Sequence, residues 1–148
     1  MKLKYWIMGL LMLPLLVACN DEDDIDAIFM GRTWKLSRIM LNKSTSALSP
    51  EEQQKVSKSA DNCFIVSFSG ESFSGRTLNE TFGGTWTVDG KNQAISFTFK
   101  GNIPHPTDMA SQKMLEILQN ANKYGGDTRN LEIRRADDSS FLLFYPLN

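Results

Sequence analysis

After Phe29 the chain alternates apolar and polar residues in short bursts, the period-two pattern of strands with one buried face. In residues 31–40, Trp34 and Leu36 stand between charged or hydroxylated neighbours and predict a half-buried strand. Phe64, Val66 and Phe68 alternate next and stop at Ser69-Gly70, and a weaker strand segment follows over residues 73–78. Residues 84–88 lead into Asp89-Gly90, a dipeptide that supplies the positive φ of a tight hairpin. Ile95, Phe97 and Phe99 share one face of the returning strand. Residues 131–134 and 140–145 flank Asp137-Asp138 as a second hairpin. About seven short strands joined in this way predict a mainly β domain, an antiparallel sandwich or barrel.

Two segments follow the helical period instead. Ser49-Pro50-Glu51-Glu52 combines a cap residue, proline at the first helical position and Glu three residues after the cap. Only Val56 and Ala60 follow as apolar residues, so this helix has little to bury. Ala110, Met114, Ile117, Leu118 and Ala121 form a continuous apolar stripe that is expected to lie against the sheet, with Thr107 as its cap and Gly125-Gly126 as its end. The fold expected is therefore β with one packed α-helix.

The start of the chain has a different character. Lys2 and Lys4 precede a nearly unbroken apolar run over residues 5–17, too short to cross a bilayer core of roughly 30 Å comfortably, which predicts a signal peptide over residues 1–18. Leu16-Val17-Ala18-Cys19 resembles a bacterial lipobox. That resemblance implies cleavage before Cys19, lipidation of its thiol and an anchor of several acyl chains; the other reading is a secreted protein in which Cys19 is incidental. Asn20-Asp21-Glu22-Asp23-Asp24-Ile25-Asp26 follows directly. Repulsion among its carboxylates predicts a solvated tether over residues 19–29, leaving 30–148 as a single β domain. The stretch also resembles the acidic export signal of Bacteroidetes surface lipoproteins, which implies an outer-membrane protein facing outward, with a periplasmic face as the alternative. A calcium loop is the other reading of these acids, but the glycine turn and distant Glu of an EF-hand are missing.

Composition fits this scheme. The 148 residues are 41% hydrophobic and 22% charged, enough for one domain with a core. With 16 Lys+Arg against 17 Asp+Glu there is no basic excess to neutralise phosphates, which argues against nucleic acid. Loss of residues 1–18 removes two lysines and moves the net charge from −1 to −3. Once Cys19 carries lipid, Cys63 has no disulfide partner, and its place at the head of Phe64-Ile65-Val66 suits a small buried hydrophobe.

The order of elements resembles a known family. Ser74-Gly75, Asn79, Phe82-Gly83-Gly84, the strand closing on Asp89-Gly90, Thr107-Asp108-Met109-Ala110, one helix and two closing strands look like the META domain of bacterial envelope proteins. Gly31-Arg32-Thr33-Trp34-Lys35-Leu36 resembles the opening of that family and also that of lipocalin-like lipoproteins. The cysteines that META domains often carry are replaced by Leu78 and Ser111, so their disulfide is absent. Either resemblance implies a small antiparallel barrel with one packed helix, and neither supplies catalytic residues.

Chemistry-bearing motifs are scarce. His105 is the single histidine, in Ile103-Pro104-His105-Pro106, a stiff turn in which a cis bond is conceivable and a solvated imidazole is the ordinary outcome. A Ser-His-Asp set remains arithmetically open, but no Gly-x-Ser-x-Gly elbow presents a nucleophile. The acids fall in turns and helix ends rather than as a facing pair. No cofactor or metal is expected. The function expected is a non-enzymatic, lipid-anchored binding or accessory module meeting a surface protein or glycan, with Trp86, Phe82 and Tyr124 as candidate contacts unless they fill the core. The alternative is a lipocalin-like carrier of a small apolar ligand; a stability factor without any ligand is the third reading.

Overall fold

Each hairpin signal in the sequence becomes a turn between neighbouring strands, and the strands close on themselves. The computed structural model describes residues 21–42 and 47–148. Its elements are α1 (Asp21–Phe29), β1 (Thr33–Met40), α2 (Pro50–Ser57), β2 (Ile65–Ser69), β3 (Ser72–Arg76), β4 (Thr81–Asp89), β5 (Ala94–Phe99), α3 (Met109–Gln119), β6 (Ala121–Gly126), β7 (Leu131–Arg135) and β8 (Phe141–Pro146). Every strand pairs antiparallel with its neighbours in sequence, and β1 pairs with β8 to complete a closed barrel of eight strands. The expected mainly β barrel is observed; the additional strand is β6.

Alternation puts one set of side chains inside. Trp34, Leu36, Val66, Phe68, Phe73, Trp86, Ile95, Ile133, Leu142 and Phe144 are all buried. The outward positions of β4 and β5 are Thr85, Thr87, Ser96 and Thr98, with Thr87 and Ser96 hydroxyls 2.6 Å apart. In β1 the register shifts between Leu36 and Arg38, so Ser37 and Arg38 both face out and Ile39 returns to the core.

Helices occupy both ends. At one end lie the start of β1, the end of β8 and the β2–β3, β4–β5 and β6–β7 turns, together with α1. At the other end α3 buries Ala110, Met114, Leu115, Ile117 and Leu118, with α2 beside it. Phe82 lies over Gly75, where a Cβ would come within 2.3 Å of the ring.

Several expectations need correction. The acidic stretch read as a tether is helical from Asp21, and Ile28 and Phe29 of that helix are core residues at 5% and 0% exposure, so folded structure begins ahead of residue 30. These two buried apolar residues hold the far end of the helix against the core. α3 is capped by Asp108, whose carboxylate accepts from Ser111 N at 2.9 Å, rather than by Thr107. It stops at Asn120, well short of Gly125-Gly126, because Ala121–Gly126 pairs with β7 as β6. α2, expected to bury little, buries Val56 completely. Both bonds preceding proline around His105 are trans.

Candidate functional site

Aromatic rings fill the interior of the barrel. Phe29 enters from α1 and sits 5.1 Å from Phe68, 5.1 Å from Trp86 and 5.2 Å from Tyr124, centroid to centroid. Phe68 and Trp86 meet edge to face at 4.7 Å. Further along, Phe73 contacts Phe97 at 4.9 Å, and Phe82 stacks on Phe99 at 5.5 Å. Such offset and edge-on pairs suit the ring quadrupoles.

All three candidate contacts belong to this filling. Trp86 is 6% exposed and donates its indole N–H to Gly70 O at 2.9 Å. Phe82 and Tyr124 are each 8% exposed. The structure therefore brings Trp86 and Tyr124 together around Phe29, with Phe82 farther along the same core, and presents none of them as a surface contact. Cys19 lies outside the described residues.

Polar groups are concentrated on the outside of the barrel and around the α3 end. Lys35 alternates outward from the barrel wall, yet is 2% exposed because the segment after α2 folds over it. Its ammonium donates to Ser59 Oγ (2.5 Å), Ala60 O (2.9 Å) and Cys63 O (2.5 Å), which uses all three protons. Burial holds its pKa below the ordinary lysine value, with the Asp61 carboxylate opposing the shift. Cys63 itself is half-buried, and its thiol donates to Leu78 O at 3.4 Å.

Glu52 of α2 accepts from Ala110 N at 2.9 Å, so one helix caps the other. The Lys55 hydrogen bond, followed by that of Ala110, lowers its carboxyl below the usual range. Arg135 binds Glu116 of α3 and both carboxylate oxygens of Asp137, tying β7 to the helix. The hydrogen bond to Asp137 raises the Arg135 pKa. Burial opposes the charge on Glu116, but Arg135 and Lys113 prevail and lower its pKa. Each of these carboxylates is thus committed to a structural cation or amide.

Beside them, residues 103–106 and α3 enclose a cleft of about 430 Å³. Leu115 lines it, Gln112 spans it by donating to Pro106 O at 2.8 Å, and His105 stands exposed at its edge. Among the described residues no three His, Cys, Asp or Glu side chains gather to hold a metal. Its lining combines apolar side chains, the amides of Gln112 and Gln119, the Glu116 carboxylate and one imidazole.

This architecture defines a class: an eight-stranded antiparallel meander barrel with an aromatic interior and helices at both ends. Within that class the chain belongs to the family described as domain of unknown function DUF4847, whose model matches residues 20–146. A crystal structure of a DUF4847 family protein from Bacteroides vulgatus ATCC 8482 is similar in fold, with a TM-score of 0.63 and 20% identity over 82% of this chain and 96% of that one. No curated protein matches the chain. The family match corrects the META and lipocalin resemblances. The motifs that suggested them are closely packed glycines within β3 and β4, a hairpin turn, strand alternation and one amphipathic helix, all of which this barrel carries as structural features. The match also begins at residue 20, in keeping with α1 as part of the domain.

Proposed function

We propose that this chain is a non-enzymatic envelope lipoprotein, anchored to the outer membrane through Cys19, whose barrel serves as a binding or accessory module for a protein or glycan at the cell surface. The observation that carries the reading is the filled interior: with Phe29, Phe68, Trp86 and Tyr124 packed together inside the barrel, a partner meets its outside. Lipid anchoring agrees with the outward faces of the strands. On β4 and β5 these are hydroxyls, at Thr85, Thr87, Ser96 and Thr98, whereas a membrane-spanning barrel presents an apolar band. The Lys2/Lys4 and apolar run ahead of Leu16-Val17-Ala18-Cys19 supplies the export and lipidation signal.

The test has two readouts on one preparation. Intact mass of the membrane-extracted chain is expected to show a protein beginning at an acylated Cys19, and a Cys19→Ser variant is expected to lose the modification. Photo-crosslinkers at Ile103 and Met109 in whole cells are expected to give a discrete adduct that one at Thr87, on the barrel wall, does not. An unmodified soluble chain overturns the anchor, and identical labelling from all three sites overturns the recognition surface.

A further inference from the structure

The two ends of the barrel stand in different relation to the N-terminus. α1 has nine residues, about 13 Å of helix, and its last residue, Phe29, is fully buried in the barrel mouth. Asn20 alone separates Asp21 from Cys19, which adds at most about 7 Å of extended chain. An acylated Cys19 is therefore leashed within roughly 20 Å of the α1 end while the helix is intact. The helix is tied down at that end: Ile28 O accepts from the Trp34 indole at 3.0 Å, and Gly31 N donates to Phe68 O at 3.1 Å. The α3 end lies a strand length farther away.

Apolar side chains are exposed at the leashed end. Met30 is 44% exposed and Leu147 38%, and they flank one stretch of backbone, since Leu147 N donates to Thr33 O and the Asn148 amide to Gly31 O. The five carboxylates among residues 21–26 would be repelled by an anionic surface, so the surface that fits is a zwitterionic one. We infer that the α1 end of the barrel, with Met30 and Leu147, rests on a zwitterionic phospholipid surface, so that α3 and the cleft beside it face away from the membrane. This orientation rests on the lipid anchor proposed above.

Four exposed positions make the test internally controlled, because Met30 (44%), Leu147 (38%), Ile103 (37%) and Met109 (42%) are similarly accessible in the folded chain. Each is changed singly to Cys in the full-length, lipidated protein carrying Cys63→Ser. Each variant is labelled with a small fluorophore and reconstituted into vesicles of phosphatidylcholine and phosphatidylethanolamine. Labels at 30 and 147 are expected to be quenched by nitroxides on the lipid and shielded several-fold from aqueous iodide, with labels at 103 and 109 showing the reverse. Shielding at 103 or 109, or equal iodide quenching at all four, overturns the orientation while the anchor stands. Intact mass of the same samples reads the anchor separately: a chain without acyl groups on Cys19 overturns both.

Discussion

Lys35 shows how far a single position can depart from its pattern. Between Trp34 and Leu36, both facing inward, it occupies the place of a solvated side chain, and alternation assigns it there. It is buried by the segment over residues 58–63, whose carbonyls converge on its ammonium and whose path is not encoded in the local pattern. Replacing it with Met keeps the stem but leaves Cys63 O and Ser59 Oγ without their donor. Lys35→Met is expected to lower stability by about 1–3 kcal/mol, measured by urea unfolding. An unchanged midpoint would show that the cradle does not hold this segment in place. Gly75 is a second case. A methyl there meets the Phe82 ring at 2.3 Å and Ile65 O at 2.6 Å, so Gly75→Ala is expected to cost about 1–3 kcal/mol, while Gly125→Ala, where nothing lies within 4 Å, is expected to cost much less. That Ser74-Gly75 was conspicuous in the sequence is explained by this close approach of an aromatic ring, which no short-range signal reveals.

At the scale of elements, the cap of α2 is legible, that of α3 is displaced by one residue to Asp108, and the long-range partners of the caps are not legible. Ser49 caps α2 as its motif predicts, accepting from Glu52 N at 3.2 Å. Glu52, read as part of that cap, spends its second oxygen on the N-terminus of α3, 58 residues away in sequence. β6 was illegible for a different reason. Ala121 continues the apolar stripe of α3, and Asn122-Lys123-Tyr124-Gly125-Gly126 does not alternate, so only tertiary pairing makes it a strand. The seam with β5 is correspondingly sparse, with Ala94 opposite Lys123 and Tyr124 N donating to Gln93 O. Glu52→Ala is expected to cost about 1 kcal/mol, the ordinary worth of an N-terminal cap. The carboxyls of Glu52, Glu116 and Asp137 are all lowered in the folded state, by Lys55 and Ala110 in the first case and by Arg135 in the other two. Their contribution is complete above the unfolded carboxylate range, near 4, and is lost as pH falls through the lower folded values. Thermal unfolding between pH 6 and pH 2 is therefore expected to show a falling midpoint, with Glu52→Ala following a shallower curve. Parallel curves would place the acid sensitivity elsewhere.

For the molecule as a whole, the decisive feature is that α1 belongs to the barrel. Charge density alone assigns residues 20–26 to solvent, where Asp26 is indeed exposed. It is silent about Ile28 and Phe29, where the chain turns apolar just before Trp34. Eight strands enclose an interior that side chains can fill, and Phe29 supplies the ring that meets Phe68, Trp86 and Tyr124 at the open end. The indole of Trp34 fixes the same helix through Ile28 O, so the first strand and the plug are set together. Phe29→Ala is expected to destabilise the fold by about 3–5 kcal/mol, as for other fully buried aromatic truncations. Because the loss is at one end, amide exchange is expected to accelerate first in β6 and in the β2–β3 turn, and last in the α2–α3 contact. Were residues 19–29 only a tether, Phe29→Ala would leave both the unfolding midpoint and the exchange pattern unchanged. The helix and the first strand thus depend on one buried phenylalanine, which couples the start of the described chain to the integrity of the core.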